Sequence, residues 1–204
     1  MAGGILTFGS YIGGEWLVPT GRDIAGQVEI IDIAGAHTVT AIHQYAADFG
    51  SRAVTSAAKA LPDWRRMPLE ERIARLQKVV DGIPVRKEEV ARSIALGMGK
   101  PIAQALAEVD AIITRFNMSL PIAREVIADV RDEGKNITAE RRGRGVAVGI
   151  GPNNYPARTL FEQAMRAMIV GCTFCARPPR SVAEPLRILA EILHIAGSIP
   201  AGGF

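Results

Sequence analysis

The sequence predicts an α/β fold in which a block of helices is joined to the start of a doubly wound parallel, Rossmann-like sheet. Three observations carry that prediction. Residues 1–45 are rich in glycine and β-branched residues, as short strands and tight turns require. Residues 46–130 place apolar side chains at helical spacing between Pro and Gly breaks. From Gly145 onward the pattern becomes strand, helix, strand, helix, the order that builds a parallel sheet.

In chain order, Tyr11-Ile12-Gly13-Gly14-Glu15-Trp16 reads as two short strands meeting at a glycine turn, and Gln27 to Ile33 as an alternating strand. A helix is predicted from Asp48, a residue suited to the N-cap, to Leu61, where Pro62 stops it. The next opens at Pro68 with Glu70 and Glu71 in its first turn. Its apolar stripe is Leu69, Ile73, Leu76, Val79 and Val80, and Gly82 and Pro84 break it. A third spans Lys87 to Leu96 and ends at Gly97 and Gly99. A long helix follows from Pro101 to about Val130, bent where Pro121 removes a backbone donor. Residues 131–144 are read as a linking or oligomerisation-type segment. Val146-Ala147-Val148-Gly149-Ile150 is a continuous apolar run, which suits a strand buried on both faces. A helix from Ala157 to Val170, a strand over Thr173-Phe174-Cys175-Ala176 and a helix from Val182 to Ala196 complete the 145–204 unit.

At 204 residues and 48% hydrophobic, the chain can bury a real core, built mostly from aliphatic residues because aromatics make up only 5%. The formal charge of +3 is a mild excess. Arg141-Arg142-Gly143-Arg144, the densest basic run, reads as a solvated turn before a strand, and no set of stacking aromatics accompanies it. A nucleic-acid partner is therefore not expected. Met1-Ala2-Gly3-Gly4 lacks the features of a secretory leader, and no charge-free apolar run approaches the roughly 18 residues of a membrane span. Two cysteines fit a reducing compartment, so a cytoplasmic protein without a membrane partner is expected.

Ligands of open parallel sheets bind beyond the carboxyl ends of the strands. The loop there is Gly151-Pro152-Asn153-Asn154-Tyr155-Pro156, stiffened by its two prolines. Asn154 offers an amide with two donors and no titration, the kind of group that can stabilise an oxyanion. Two asparagines between prolines equally suit an ordinary Asx-type turn.

The stretch from Gly145 to Gly171 resembles the aldehyde dehydrogenase superfamily, whose first cofactor-domain strand runs into a Pro-x-Asn-Phe-Pro loop. Here it stands as Pro152-Asn153-Asn154-Tyr155-Pro156. Similar to the same family are Ile12-Gly13-Gly14-Glu15-Trp16, Leu61-Pro62-Asp63-Trp64, Glu71-Arg72, Gly99-Lys100-Pro101 and the closing Ala196 to Gly202. The fold implied is the N-terminal half of that family's fold. Gly99-Lys100-Pro101 and Gly151 to Pro156 are also similar to its semialdehyde-oxidising branches, including the succinylglutamate and succinate semialdehyde enzymes.

The resemblance implies that Asn154 holds the oxyanion formed when a cysteine attacks an aldehyde. It further implies that a nicotinamide cofactor lies along Ile150, Gly151, Pro152 and Asn153, and along Arg177, Pro178 and Arg180. Arg180 stands where the family has a ribose-binding Glu, which tilts the expectation from NAD towards NADP. Two exposed arginines in a proline loop would serve as well for solubility alone.

Cys172-Thr173-Phe174-Cys175 is a C-x-x-C, but residues three apart on a strand point to opposite faces, so structural thiols are expected rather than a disulfide or a metal pair. His37, His43 and His194 are scattered and suggest no metal site. The family's nucleophilic cysteine and general-base glutamate lie downstream of the matched segment. The expectation is a partial NAD(P)-dependent aldehyde dehydrogenase, truncated or split and inactive alone. It would oxidise an aldehyde or semialdehyde to the acid only if complemented by a C-terminal half, and the partners expected are a complementary subunit or further copies of the chain in a homo-oligomer. The alternative is a degenerate, non-catalytic homologue acting as a nucleotide-binding, scaffold or regulatory subunit.

Overall fold

The computed structural model describes residues 6–33, 39–132, 134–180 and 182–204. Met1 to Gly4 and His37 lie outside the described residues. Three strands, β1 (Leu6–Phe8), β4 (Gly26–Ile31) and β5 (Val39–Tyr45), form a sheet in the order β1-β5-β4, with β1 parallel and β4 antiparallel to β5. The strands β2 (Ser10–Ile12) and β3 (Glu15–Leu17) form the expected hairpin. Its turn residues Gly13 and Gly14 have φ of 65° and 89°, the doubly positive geometry that matches strand twist and favours glycine.

The helical block follows as α1 (Phe49–Arg66), α2 (Leu69–Gly82), α3 (Lys87–Met98) and α4 (Ile102–Ile127). In α1, Asp48 occupies the expected cap position, with no capping hydrogen bond from its side chain. One expectation is corrected, because the helix runs through Pro62 instead of stopping at Leu61. An interior proline costs about 3 kcal/mol, but Ala57, Ala60 and the fully buried Trp64 flank it and pack into the core, and that burial outweighs the lost bond. The predicted stripe of α2 is buried at Ile73, Leu76, Val79 and Val80. Gly99, at φ 65°, terminates α3 in the left-handed conformation. The long helix is continuous through Pro121 but ends at Ile127, short of Val130. Val130 pairs instead with Ala139 in a hairpin of β6 (Val130–Asp132) and β7 (Ile137–Ala139).

The last unit is β8 (Val146–Ile150), α5 (Arg158–Ile169), β9 (Thr173–Arg177) and α6 (Glu184–Ala196), with β8 and β9 parallel. The structure is thus α/β, as expected. The double-sided burial expected of β8 is corrected. Gly149 is buried, whereas Val148 and Ile150 are 63% and 67% exposed. The face of Gly149 lies under α5, where a Cβ would meet Leu160 and Phe174 at 2.8 and 2.5 Å. On the other face α1 reaches the start of the strand pair, where Thr173 Oγ1 donates to Ala57 O at 2.9 Å, and leaves the strand ends open. At the centre of the core, α5 buries Leu160, Phe161, Ala164, Met165, Met168 and Ile169 in one cluster with side chains of α1, α2, α4 and α6.

Candidate active site

The loop 152–156 joins the carboxyl end of β8 to α5. Gly151 leaves the strand with its N–H donating to Arg177 O at 2.9 Å, which extends the ladder by one bond. A Cβ there would lie 2.6 Å from Leu160 Cδ1 and 3.0 Å from Pro179 Cδ, so glycine is required by close approach. Beyond it, Asn153, Asn154 and Tyr155 are exposed, while Pro156 is buried. Ile150 is paired in register with Arg177. The structure therefore brings Ile150, Gly151, Pro152 and Asn153 to one strand end, and Arg177, Pro178 and Arg180 to the neighbouring one. Both guanidinium groups are exposed, as is the Ile150 side chain. An apolar surface flanked by cations at the ends of parallel strands suits a flat, phosphate-bearing nucleotide.

Side chains that the sequence did not single out hold this loop in place. The carboxylate of Glu108 is fully buried on α4. Its Oε1 accepts the backbone N–H groups of Ala157 and Arg158, both at 3.2 Å, at the start of α5. Its Oε2 accepts from Lys100 Nζ at 2.8 Å. Lys100 Nζ also donates to the main-chain oxygen of Asn154 at 2.9 Å and sits 4.5 Å from the centre of the Tyr155 ring. Arg158 packs on that same ring at 4.1 Å. A buried carboxylate is tolerable only when paired and hydrogen-bonded, and Glu108 meets both conditions. The available signal was a lone acid on the apolar stripe of Ala105, Val109 and Ile112. Lys100 belonged to the Gly99-Lys100-Pro101 motif, but nothing in its spacing pointed to a loop 54 residues away.

The motifs at Trp64 and Arg72 act on the other end of α5. Trp64 Nε1 donates to Met168 O at 2.9 Å, and Arg72 Nε to Ile169 O at 2.9 Å. Arg72 also donates to Met67 O.

Both cysteines are free and half-buried. Cys172 lies one residue before β9, not on it. Burial pushes the Cys175 thiol above its usual range, the reverse of an activated nucleophile. His43 Nε2 lies 2.6 Å from Gly9 O, and His194 Nδ1 lies 3.2 Å from the Tyr11 hydroxyl, both structural contacts. Among the described residues no helix is long and apolar enough to cross a membrane.

The sequence profile of the aldehyde dehydrogenase family matches residues 21–204. A glutarate-semialdehyde dehydrogenase of Pseudomonas putida is 28% identical over 95% of this chain, and the match covers 40% of that enzyme. An N-succinylglutamate 5-semialdehyde dehydrogenase of Burkholderia ambifaria is 29% identical over 94% of this chain and 39% of its own length. Among solved structures, a putative methylmalonate-semialdehyde dehydrogenase of Sinorhizobium meliloti, complexed with NAD, superposes with a TM-score of 0.86. That superposition covers 98% of this chain and 40% of the other at 23% identity, a likeness of fold. The chain thus spans about 40% of the length of the curated relatives it matches, corresponding to their N-terminal part.

Proposed function

The chain belongs to the aldehyde dehydrogenase family, and on that footing we propose that it supplies the oxyanion-holding loop and part of a nicotinamide-nucleotide site for oxidising an aldehyde or semialdehyde to its acid. The observation that carries this reading is the exposed Asn154, set in a loop tethered by Lys100 at the carboxyl ends of β8 and β9.

In the proposed reaction a cysteine thiolate from protein outside these 204 residues adds to the carbonyl carbon, and the carbonyl oxygen becomes an oxyanion. The Asn154 amide donates to that oxygen without giving up a proton, so it stabilises the charge and stays unchanged. Nicotinamide, when bound, supplies the hydride acceptor, and water then hydrolyses the resulting thioester. Ile150 and Gly151 would carry the flat part of the nucleotide, Pro152 and Asn153 would shape the loop above it, and Pro178 would aim the two arginines. Arg177 and Arg180 would bind its phosphates or ribose. Neither Cys172 nor Cys175 suits the nucleophile's role, because both are half-buried and Cys175 holds its proton tightly.

The reading leans to NADP over NAD because Arg180 can pair with a 2′-phosphate. Equilibrium binding should then favour NADP, and Arg180→Glu should remove the preference. The two free thiols support a cytoplasmic setting. As partner we propose a complementary segment bearing the thiolate, in a second subunit or elsewhere in a longer protein.

The test is co-expression with the C-terminal part of the Pseudomonas putida relative. Aldehyde-dependent reduction of the nicotinamide should appear, and Asn154→Ala should lower kcat by about 10²–10³. Restored activity that ignores this substitution overturns the site. Complexes that form without activity favour the non-catalytic subunit.

A further inference from the structure

We propose that Lys100 is a positioning residue for Asn154, anchored on the buried carboxylate of Glu108 and fixing the main chain of the loop that presents the Asn154 amide. This deepens the function proposed above and rests on it for its catalytic consequence only.

The loop residues 153–155 are exposed, so core packing does not set their conformation. Lys100 enters from the junction between α3 and α4, and its ammonium is largely buried. An ammonium has three donors and no acceptor. One meets Glu108 Oε2 at 2.8 Å and one meets Asn154 O at 2.9 Å, while the Tyr155 ring lies against the same group at 4.5 Å. The bond to Asn154 is made to its main chain, which leaves the side-chain amide available for a substrate oxygen. Glu108 does not yield, because its other oxygen is bound by two backbone amides of α5 and its helix is locked by Val109, Ile112 and Phe116. The chain of contacts runs from the helical core through Glu108 and Lys100 to the residue next to the reacting atoms. An oxyanion donor must sit within tenths of an ångström of its target, so a tether on its own main chain matters to rate.

A merely structural ion pair would support the fold without ordering the loop. The test is ¹⁵N relaxation of the 204-residue protein and its Lys100→Met and Lys100→Arg variants, with urea midpoints recorded alongside. In the parent, the Asn154 and Tyr155 amides should show order parameters of about 0.85, falling below about 0.6 in Lys100→Met. Amides of Leu160 to Ile169 should stay unchanged in the same spectra. Lys100→Arg, which keeps a donor and the charge, should restore most of the loop order. Should Lys100→Met fail to fold, Glu108→Gln removes the anchor's charge while keeping an acceptor for α5, and should loosen the same two residues. In the complemented enzyme, Lys100→Met should lower kcat about ten- to a hundredfold with little change in KM. Combined with Asn154→Ala it should add almost nothing, because both remove the same donor. Unchanged loop order in Lys100→Met overturns the proposal, as does full additivity with Asn154→Ala. If complementation gives no activity, the functional reading fails and the relaxation data still decide the positioning role.

Discussion

Glu108 and Arg72 hold opposite ends of one helix. The carboxylate accepts the Ala157 and Arg158 amides where α5 begins, and the guanidinium donates to the Ile169 carbonyl where it ends. Each charge has the sign that the helix dipole favours at its end, and each satisfies backbone groups that a helix leaves unpaired. Trp64 adds a bond to Met168 O. All three side chains come from the helical block, so that block orients the helix on which the candidate loop is mounted.

Removing Arg72 should therefore be expensive. Arg72→Met fills much of the space but leaves the Ile169 and Met67 carbonyls without their donor. At about 1–3 kcal/mol for a buried group left unsatisfied, the expected loss is about 2–4 kcal/mol. Urea denaturation measures it, and Arg72→Lys should recover part. An unchanged midpoint would mean that water replaces the guanidinium at no cost.

Glu108 should separate its two duties by substitution. Glu108→Ala strands the Lys100 charge and both α5 amides, and should cost about 3–5 kcal/mol. Glu108→Gln keeps an oxygen for the amides and should cost less. Equal losses in the two variants would show that the charge, and not the helix cap, carries the stability.

The sequence made the element order, the β2–β3 turn, the stripe of α2 and the parallel β8–β9 pair legible, because each follows from local periodicity and glycine placement. The loop at Gly151 to Pro156 was legible for the same reason, since its prolines and asparagines sit between a strand and a helix. Pro62 misled because the burial of Trp64, a tertiary effect, overrode a local rule. Glu108 was missed because its partners Ala157 and Arg158 lie 49 and 50 residues away, and no periodicity carries that distance. The exposure of Val148 and Ile150 was hidden too, as an apolar run says nothing about how many faces are covered.

That one-sided strand makes a paired prediction. Gly149→Ala would place a methyl 2.5 Å from Phe174 Cζ and 2.8 Å from Leu160 Cδ2, so overpacking should cost about 1–3 kcal/mol. Val148→Thr, on the adjacent and exposed position, should stay within about 0.5 kcal/mol. Similar losses at both positions, read from thermal or urea unfolding, would mean that both faces are covered in solution.

Cys175 contributes to the alkaline pH dependence, alongside Tyr11, whose hydroxyl pKa burial also pushes up. Burial raises its thiol pKa in the folded state, so between the unfolded and folded values the unfolded chain loses the proton first. The folded state then binds more protons, and stability must fall as pH rises. The protein should keep this contribution in full below the ordinary thiol range and lose it as pH rises through the folded value. In a Cys172→Ser background, a disulfide reagent at about pH 8, just under the ordinary thiol pKa, should react with Cys175 more slowly in the folded protein than in urea. Cys175→Ser in the same background should flatten the alkaline decline in stability. A thiol that reacts faster folded than unfolded would mark an accessible, activated cysteine, and Cys175 would return as a candidate nucleophile.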